Sequence, residues 1–196
     1  MAEVKVLIKG YAYNKKGAEH ASSTTALIKE NGINIIVDPG MNRKFLLESL
    51  KKENLALKDI NFVVLTHTHL DHCLLAGIFE KAKIIDNSSI YSFEGTIQDH
   101  EGKIPGTDIK IINTPGHDQF HCSILVNDAK LGKVVIAADV FWWPDNEEQK
   151  TDIKSLIDRK DPYVKNESQL IESRKKLLEM ADYIIPGHGE MFKVKK

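Results

Sequence analysis

A strand-like apolar run that ends in a cluster of polar side chains constrains this chain most: Phe62-Val-Val-Leu-Thr-His-Thr-His-Leu-Asp-His72. Three histidines and one aspartate lie within the six positions that close the run. Burying four such groups by packing alone would leave several hydrogen-bond donors and acceptors without partners. Imidazole and carboxylate are common metal ligands, so the pattern predicts a strand whose carboxyl end holds metal ions.

The spacing predicts two metal positions. At the end of a strand, residues i and i+2 share a face, so His67 and His69 would converge on one ion. The following turn would bring Asp71 and His72 to another.

Three further strand-like segments lead into a candidate ligand, which is His117 after Ile109–Asn113, Asp139 after Val134–Ala138, and His188 after Tyr183–Ile185. Each is weak alone, because a strand-end aspartate usually caps a turn and Pro-Gly-His is usually a turn itself. Together they predict one site where several strands end.

In order and spacing these motifs resemble the metallo-β-lactamase superfamily over nearly the whole chain. The resemblance implies an α/β (α+β) fold, a four-layer αββα sandwich of two mixed β-sheets with helices on the outer faces. It also implies the role of each ligand. One ion would be bound by His67, His69 and His117, the other by Asp71, His72 and His188, and Asp139 would bridge them. Asp38 and Thr66 would support the ligands without binding metal.

Departures from branches of the superfamily narrow the expected chemistry. True β-lactamases carry Cys or Ser at the position of Asp139, and di-iron flavoproteins carry Glu at that of His69. Glyoxalase II adds a helical domain for which no residues remain, and the β-CASP nucleases are far longer. The chain most resembles small proteins grouped with metallo-β-lactamase-domain-containing protein one, through 138–141, 145–148, 172–176 and 181–189. That group spans an RNA endonuclease, phosphodiesterases and lactonases, so its specificity does not transfer.

The expected cofactors are two divalent metal ions, with zinc first and manganese or iron also suited to these ligands. A metal-bridging hydroxide would then cleave a phosphodiester or a small ester or lactone. Asp139 would fix the spacing of the ions, and Asp71 would pass a proton to the leaving group. Two alternatives stay open: a mononuclear iron oxidoreductase of the persulfide-dioxygenase type, and a metal-binding protein without turnover.

Two aromatic segments are candidates for the substrate pocket. They supply Tyr11 and Tyr13 before the turn at Lys16-Gly17, and Trp142 and Trp143 after Asp139. Exposed rings could stack on a base or ring, although covering the core edge is an equal alternative for the tryptophans. His121 is a further candidate, against the commoner structural role of a lone histidine.

Composition sets limits on partners and location. The formal net charge is −1, so no global basic field attracts nucleic acid, and a small-molecule or nucleotide-type substrate is expected. Only two cysteines, Cys73 and Cys122, and no hydrophobic leader favour the cytoplasm. No apolar run is long enough for a membrane span. We expect one domain over residues 1–196, which leaves a homodimer open.

Periodicity predicts the elements that carry the motifs. An amphipathic helix is expected over Asn42–Lys52, with Phe45, Leu46 and Leu50 on its buried side, and another over Leu70–Ala82. Asn166 is the expected N-cap of a third helix, with Gln169 at the capping-box position. Short apolar strands are expected at Val4–Leu7, Thr25–Ile28, Asn34–Val37, Phe62–Leu65, Ile84–Ile85, Ile90–Phe93, Ile109–Ile112, Cys122–Val126, Val134–Ala137 and Tyr183–Ile185.

Overall fold

The computed structural model describes residues 1–195, and within them the chain forms fourteen β-strands and four α-helices. In chain order these are β1 (Glu3–Ile8), β2 (Tyr11–Lys15), β3 (Ala18–Ser22), β4 (Thr25–Glu30), β5 (Ile33–Val37), α1 (Arg43–Lys52), β6 (Phe62–Val64), α2 (Leu70–Cys73), β7 (Lys83–Ile85), β8 (Ser89–Tyr91), β9 (Ile97–Asp99), β10 (Lys110–Asn113), β11 (Cys122–Asp128), β12 (Gly132–Ala138), α3 (Ile153–Asp158), α4 (Glu167–Met180), β13 (Tyr183–Pro186) and β14 (Phe192–Lys193). The predicted single domain includes Lys196, which lies outside the described residues, and it stays a prediction.

Two mixed sheets form the centre of the fold. The first has the order β1-β4-β5-β6-β7-β8-β9, and the second has the order β10-β11-β12-β13-β14. Parallel pairs join β5 to β6, β6 to β7 and β12 to β13, while the other pairs are antiparallel. Strands β2 and β3 form a separate hairpin.

The strands alternate between two buried faces, which explains the layers. In β5, Ile35 and Val37 join the core between the sheets, whereas Ile36 packs in an outer core with Leu46 and Leu50 of α1. Successive side chains of a strand point to opposite faces, so a strand apolar on both faces must be covered twice.

The second sheet repeats this arrangement. In β12, Val134 and Ile136 face the first sheet, while Val135 packs with Leu156 of α3 and Leu177 of α4. The order of layers is therefore helix, sheet, sheet, helix, and the expected four-layer αββα sandwich is confirmed.

The helix expected over Leu70–Ala82 is wrong, since α2 ends at Cys73 and only a short 3₁₀ turn follows at Ala76–Ile78. The hydrogen bonds that would continue it go elsewhere. The carbonyl of Asp71 accepts the N–H of Ser23 at 2.9 Å, and the N–H of Leu75 is donated to Gly40 at 3.1 Å. Contacts with distant loops thus replace a second and third helical turn.

One smaller difference concerns the surface of α1. Phe45 is exposed, and only Leu46 and Leu50 of α1 are buried, so the buried side of that helix is narrower than expected. The predicted N-cap Asn166 is confirmed, because its side chain accepts the N–H of Gln169 at 3.1 Å. In α1, Asn42 is the N-cap and accepts the N–H of Phe45 at 3.3 Å, so this helix begins at Arg43. Among residues 1–195, no helix combines the length and the apolar character that crossing a bilayer requires.

Candidate metal centre

The predicted ligands follow strands whose carboxyl ends lie at one edge of the sandwich. Strand β6 leads to His67 and His69, and α2 then carries Asp71 and His72. In the second sheet β10 and β12 are both antiparallel to β11, while β13 is parallel to β12, so these three strands run in the same direction. Their carboxyl ends lead to the remaining ligands, His117, Asp139 and His188.

The first cluster consists of His67, His69, His117 and Asp139, whose ligand atoms all lie within 4.8 Å of one another. His117 Nε2 is 3.2 Å from His69 Nδ1 and 3.3 Å from Asp139 Oδ2. The Nε2 of His67 lies 3.8 Å from the same carboxylate oxygen. Tetrahedral ligands about 2 Å from a zinc ion are about 3.3 Å apart, so these separations fit one ion.

The second cluster consists of Asp71, His72 and His188. Asp71 Oδ2 lies 3.2 Å from His188 Nε2 and 3.8 Å from His72 Nε2. The other oxygen of Asp139, Oδ1, is 3.3 Å from His72 Nε2 and 3.9 Å from His188 Nε2. Asp139 therefore presents one oxygen to each cluster.

The polar atoms that face the centre fit a bound cation. His67 Nε2, His72 Nε2 and Asp139 Oδ1 are buried and have no hydrogen-bond partner among residues 1–195. Buried polar atoms are seldom left unpaired, because losing their hydration is costly. Inward-facing imidazole nitrogens and a shared carboxylate are also the donor set that zinc, manganese or iron accepts.

Outward-facing nitrogens of the same histidines are held by the protein. Asp38 Oδ2 lies 2.8 Å from His72 Nδ1, and it accepts the hydroxyl of Thr66 at 2.7 Å. Thr66 also contacts His67 Nδ1 at 3.1 Å. Such contacts select the tautomer whose free lone pair points into the cluster, where it could bind a metal ion. Asp38 and Thr66 thus contact the outer nitrogens of two candidate ligands, and their supporting role stays a prediction.

Asp161, a residue that the sequence analysis missed, holds the third histidine of the first cluster. Its Oδ2 lies 2.7 Å from His117 Nδ1, and the residue is buried. His188 is held differently, since its Nδ1 donates to the backbone carbonyl of Tyr11 at 3.0 Å. No motif marks Asp161, which is an isolated aspartate between α3 and α4.

Burial and mutual charge interactions shift the pKa values of the histidines and carboxylates at this edge. Burial lowers the pKa of His67 well below its ordinary value. Burial also acts to lower the pKa of His72, but the carboxylates of Asp139 and Asp38 outweigh it and raise that pKa well above normal. For Asp139, burial acts to raise the pKa and the neighbouring histidines reverse the shift. Without metal, protons would supply the positive charge that a divalent ion brings.

A cavity of about 710 Å³ opens over the second cluster and reaches His69 of the first. The hairpin, the start of α1 and the segment after α3 form its walls. The wall residues outside the ligand set are Tyr11, Ala12, Glu19, His20, Ala21, Met41, Asn42, Arg43, Leu70, Trp142 and Tyr163. Its size is within the range of small-molecule sites.

The predicted substrate contacts divide between wall and core. Tyr11 and Trp142 line the cavity. Trp143 is instead buried among apolar side chains, with Arg159 4.8 Å above its ring, so it covers the core edge. Tyr13 lies outside the lining and stacks on His20, a wall residue, at 5.0 Å.

His121 does not reach the cavity either. It is buried with its ring 4.9 Å from that of His67, and its Nδ1 contacts Thr114 Oγ1 at 3.0 Å. Burial lowers its pKa to about 3, so the ring is neutral at physiological pH. This placement matches the structural alternative.

Comparison with known proteins decides the family. The sequence profile of the metallo-β-lactamase superfamily matches residues 20–90. The chain is also 30% identical to metallo-β-lactamase domain-containing protein 1 of Xenopus laevis, over 98% of this chain and 82% of that protein. This chain belongs to the metallo-β-lactamase superfamily.

Further proteins are similar to this chain in sequence or in structure. A probable metallo-hydrolase of Methanocaldococcus jannaschii is 30% identical over 86% of both chains. A crystal structure of a Thermotoga maritima protein described as a metallo-β-lactamase superimposes with a TM-score of 0.75 and 20% identity, covering 98% of this chain and 99% of that one. Mammalian relatives are longer, and the chain spans 65% of the mouse domain-containing protein 1. Within this metallo-hydrolase superfamily the chain carries a His/Asp cluster compatible with divalent metals.

Proposed function

We propose that this protein is a dinuclear metal-dependent hydrolase that acts on a phosphodiester or a small ester or lactone, with zinc as the first expected metal. The observation that carries the proposal is the placement of Asp139. One oxygen lies 3.3 Å from His117 of the first cluster, and the other lies 3.3 Å from His72 of the second. A carboxylate placed in this way can bridge two ions.

When bound, two divalent ions supply an activated water and positive charge for the developing negative charge of the transition state. The chain supplies the positioning. Asp139 sets the separation of the two clusters, and the histidines leave positive charge on the ions because their imidazoles are neutral ligands.

Asp71 is the proposed proton donor to the leaving group. Its carboxylate is 3.2 Å from His188 Nε2, lines the cavity and is partly open to solvent. Burial acts to raise its pKa, but the contact with His188 and the charge of His72 lower it overall. Asp71 is therefore a carboxylate at rest and would have to carry a proton relayed from the reacting water.

Metal content and turnover, measured on protein purified without added metal, test the proposal. Plasma emission spectroscopy gives the ions per chain, and a bis-aryl phosphodiester, an aryl ester and a lactone are the test substrates. About two zinc or manganese ions with turnover would support a hydrolase and rank the substrate classes. About one iron with oxygen consumption would favour the persulfide-dioxygenase type. Two ions without turnover would favour the metal-binding protein.

Arg43 offers a test of which substrates the cavity prefers. It is the one lysine or arginine among the wall residues within the described part of the chain. Since a charge-assisted hydrogen bond to a substrate anion contributes about 1.4 kcal/mol, we expect Arg43→Ala to raise the KM of an anionic ester about tenfold. The kcat and the KM of an uncharged ester should stay within about twofold.

Lys44→Ala is the matched control, because Lys44 is the next residue, is exposed and pairs only weakly with Glu48 at 4.0 Å. Equal effects of the two variants would mean that Arg43 acts through general surface charge.

Metal removal should lower thermal stability reversibly. A ligand present at about 1,000 times its dissociation constant stabilises the folded state by about 4 kcal/mol, or about 10 °C in Tm at this chain length. We expect chelation to lower Tm by that amount and zinc to restore it, as measured by calorimetry. Magnesium, which prefers oxygen ligands, is the control that should not restore it. An unchanged Tm with metal verified as absent would contradict a site occupied at high affinity.

A further inference from the structure

We infer that Asp161 is a positioning residue that couples the first metal position to the aromatic wall of the cavity. The inference rests on the proposed function only in assigning metal ligands, and its test uses metal binding and amide exchange rather than turnover. Asp161 lies in the segment 159–166, which joins α3 to α4 and is called here the α3–α4 loop.

One carboxylate oxygen of Asp161 contacts His117, a proposed ligand of the first metal position. Asp161 Oδ2 lies 2.7 Å from His117 Nδ1, so the imidazole N–H donates to it and the Nε2 lone pair faces Asp139. A buried carboxylate on the outer nitrogen raises the basicity of a ligand histidine and fixes its ring orientation. His72 has the same support from Asp38 in the second cluster. Each metal position thus has its own supporting aspartate.

The other carboxylate oxygen of Asp161 contacts the backbone of the cavity wall. Its Oδ1 accepts the backbone N–H of Tyr163 at 3.0 Å. The ring of Tyr163 lies 5.7 Å from that of Trp142, and both rings line the cavity. One carboxylate therefore fixes a metal ligand and the backbone of a wall residue at the same time.

Further contacts hold the ends of the α3–α4 loop. The buried Arg174 donates to the carbonyl of Arg159 at 2.6 Å, and Arg159 Nε donates to the carbonyl of Trp142 at 2.6 Å. The N–H groups of Lys165 and Asn166 both donate to the carbonyl of Gly116, next to His117, at 2.9 Å. With both ends fixed, Asp161 is the contact through which the middle of the loop meets the metal ligands.

Filling the first metal position should consequently order the wall. A bound ion would make the imidazole N–H of His117 a stronger donor to Oδ2 of Asp161 and would so fix the orientation of that carboxylate, which keeps Oδ1 directed at the amide of Tyr163. The substrate wall would then be completed only in protein that carries the first ion. The second ion, supported by Asp38, would have no such effect.

Zinc affinity in two single-site backgrounds tests this inference. His188→Ala removes a ligand of the second position, and His69→Ala removes one of the first. Asp161→Asn keeps the size of the side chain, but its amide NH₂ cannot accept a hydrogen bond. One of the two donors, the N–H of His117 or that of Tyr163, would therefore lose its acceptor. Zinc affinity is measured in competition with a chromophoric chelator. We expect Asp161→Asn to lower this affinity about 10- to 100-fold in the His188→Ala background. In the His69→Ala background the change should be less than about threefold.

The zinc dependence of amide hydrogen exchange in residues 161–166 is a second readout. It would not change if Asp161 only stabilised the fold. Zinc should slow this exchange in the wild-type chain and in His188→Ala, where the first position and Asp161 are both intact. It should leave the exchange unchanged in His69→Ala and in Asp161→Asn. Asp158→Asn, an exposed carboxylate three positions earlier, is the matched control and should change neither readout. Should Asp161→Asn not fold, Asp161→Ser retains a small acceptor for the same measurements. Equal losses of zinc affinity in both backgrounds, or zinc-dependent exchange that persists without Asp161, would overturn the inference.

Discussion

Replacing Asp139 with asparagine is expected to lower the rate of metal-dependent hydrolysis by about 1,000-fold or more. Such a factor corresponds to about 4 kcal/mol of lost transition-state stabilisation, as expected when a dinuclear centre is disrupted. Asparagine keeps the shape but removes the charge, and its NH₂ group would point at one of the two clusters. Because Oδ1 and Oδ2 of Asp139 each face a cluster at 3.3 Å, either orientation of the amide would take a carboxylate oxygen away from one cluster.

Metal analysis should accompany the rate measurement. We expect Asp139→Asn to retain at most about one ion per chain after dialysis against a weak chelator, where the wild-type chain retains two. Asp108→Asn is the control, because its carboxylate pairs at the surface with Lys103 at 3.7 Å. Two retained ions with wild-type turnover in Asp139→Asn would contradict the bridging role.

The second large effect is expected from Gly187→Ala, although glycine carries no ligand atom. A Cβ at position 187 would lie 1.8 Å from Asp139 Oδ1. The backbone cannot easily retreat, because the Gly187 N–H donates to the carbonyls of Ala138 at 2.8 Å and Phe141 at 3.0 Å. Something must therefore move, and the side chain of Asp139 is the nearest group.

We expect Gly187→Ala to displace that carboxylate, to lower turnover at least about 100-fold and to cost about 1 to 3 kcal/mol of stability through overpacking. Chemical denaturation and metal analysis measure the two effects. Gly77→Ala is a matched control, since a Cβ there would meet no heavy atom of the described residues within 4 Å. A Gly187→Ala protein with full metal content and full activity would show that the backbone at position 187 can move away from Asp139 without disturbing the site.

Local sequence was sufficient to predict that the candidate ligands form a spatial cluster, because each lies in the segment that follows an apolar strand. Strands carry their carboxyl ends to a shared edge, so proximity follows from strand direction alone, as for His117 and His188. The alternation of side chains between the two faces of a strand, as in β12, also follows from local sequence. Which ions bind, and what is cleaved, depends on chemistry that residue patterns do not encode.

Features decided by distant contacts were not predictable in the same way. The pattern at 70–82 suits a helix, yet the carbonyl of Asp71 is taken by Ser23 from another part of the chain. The β2–β3 hairpin has mostly exposed residues, so its pairing leaves no apolar alternation to detect. Asp161 lacks any local signal, since its partner His117 lies 44 positions away.

Both clusters draw their donors from both sheets. His69 follows the first sheet and His117 the second, and Asp71 and His188 are divided in the same way. Bound ions would therefore act as cross-links that close long chain loops across one end of the sandwich. Opening of this end would then depend on the free concentration of the metal, whereas global unfolding would also have to break the apolar interior between the sheets. In the metal-free protein, the apolar interior between the sheets would stay stable while the end that carries the two clusters opens more readily.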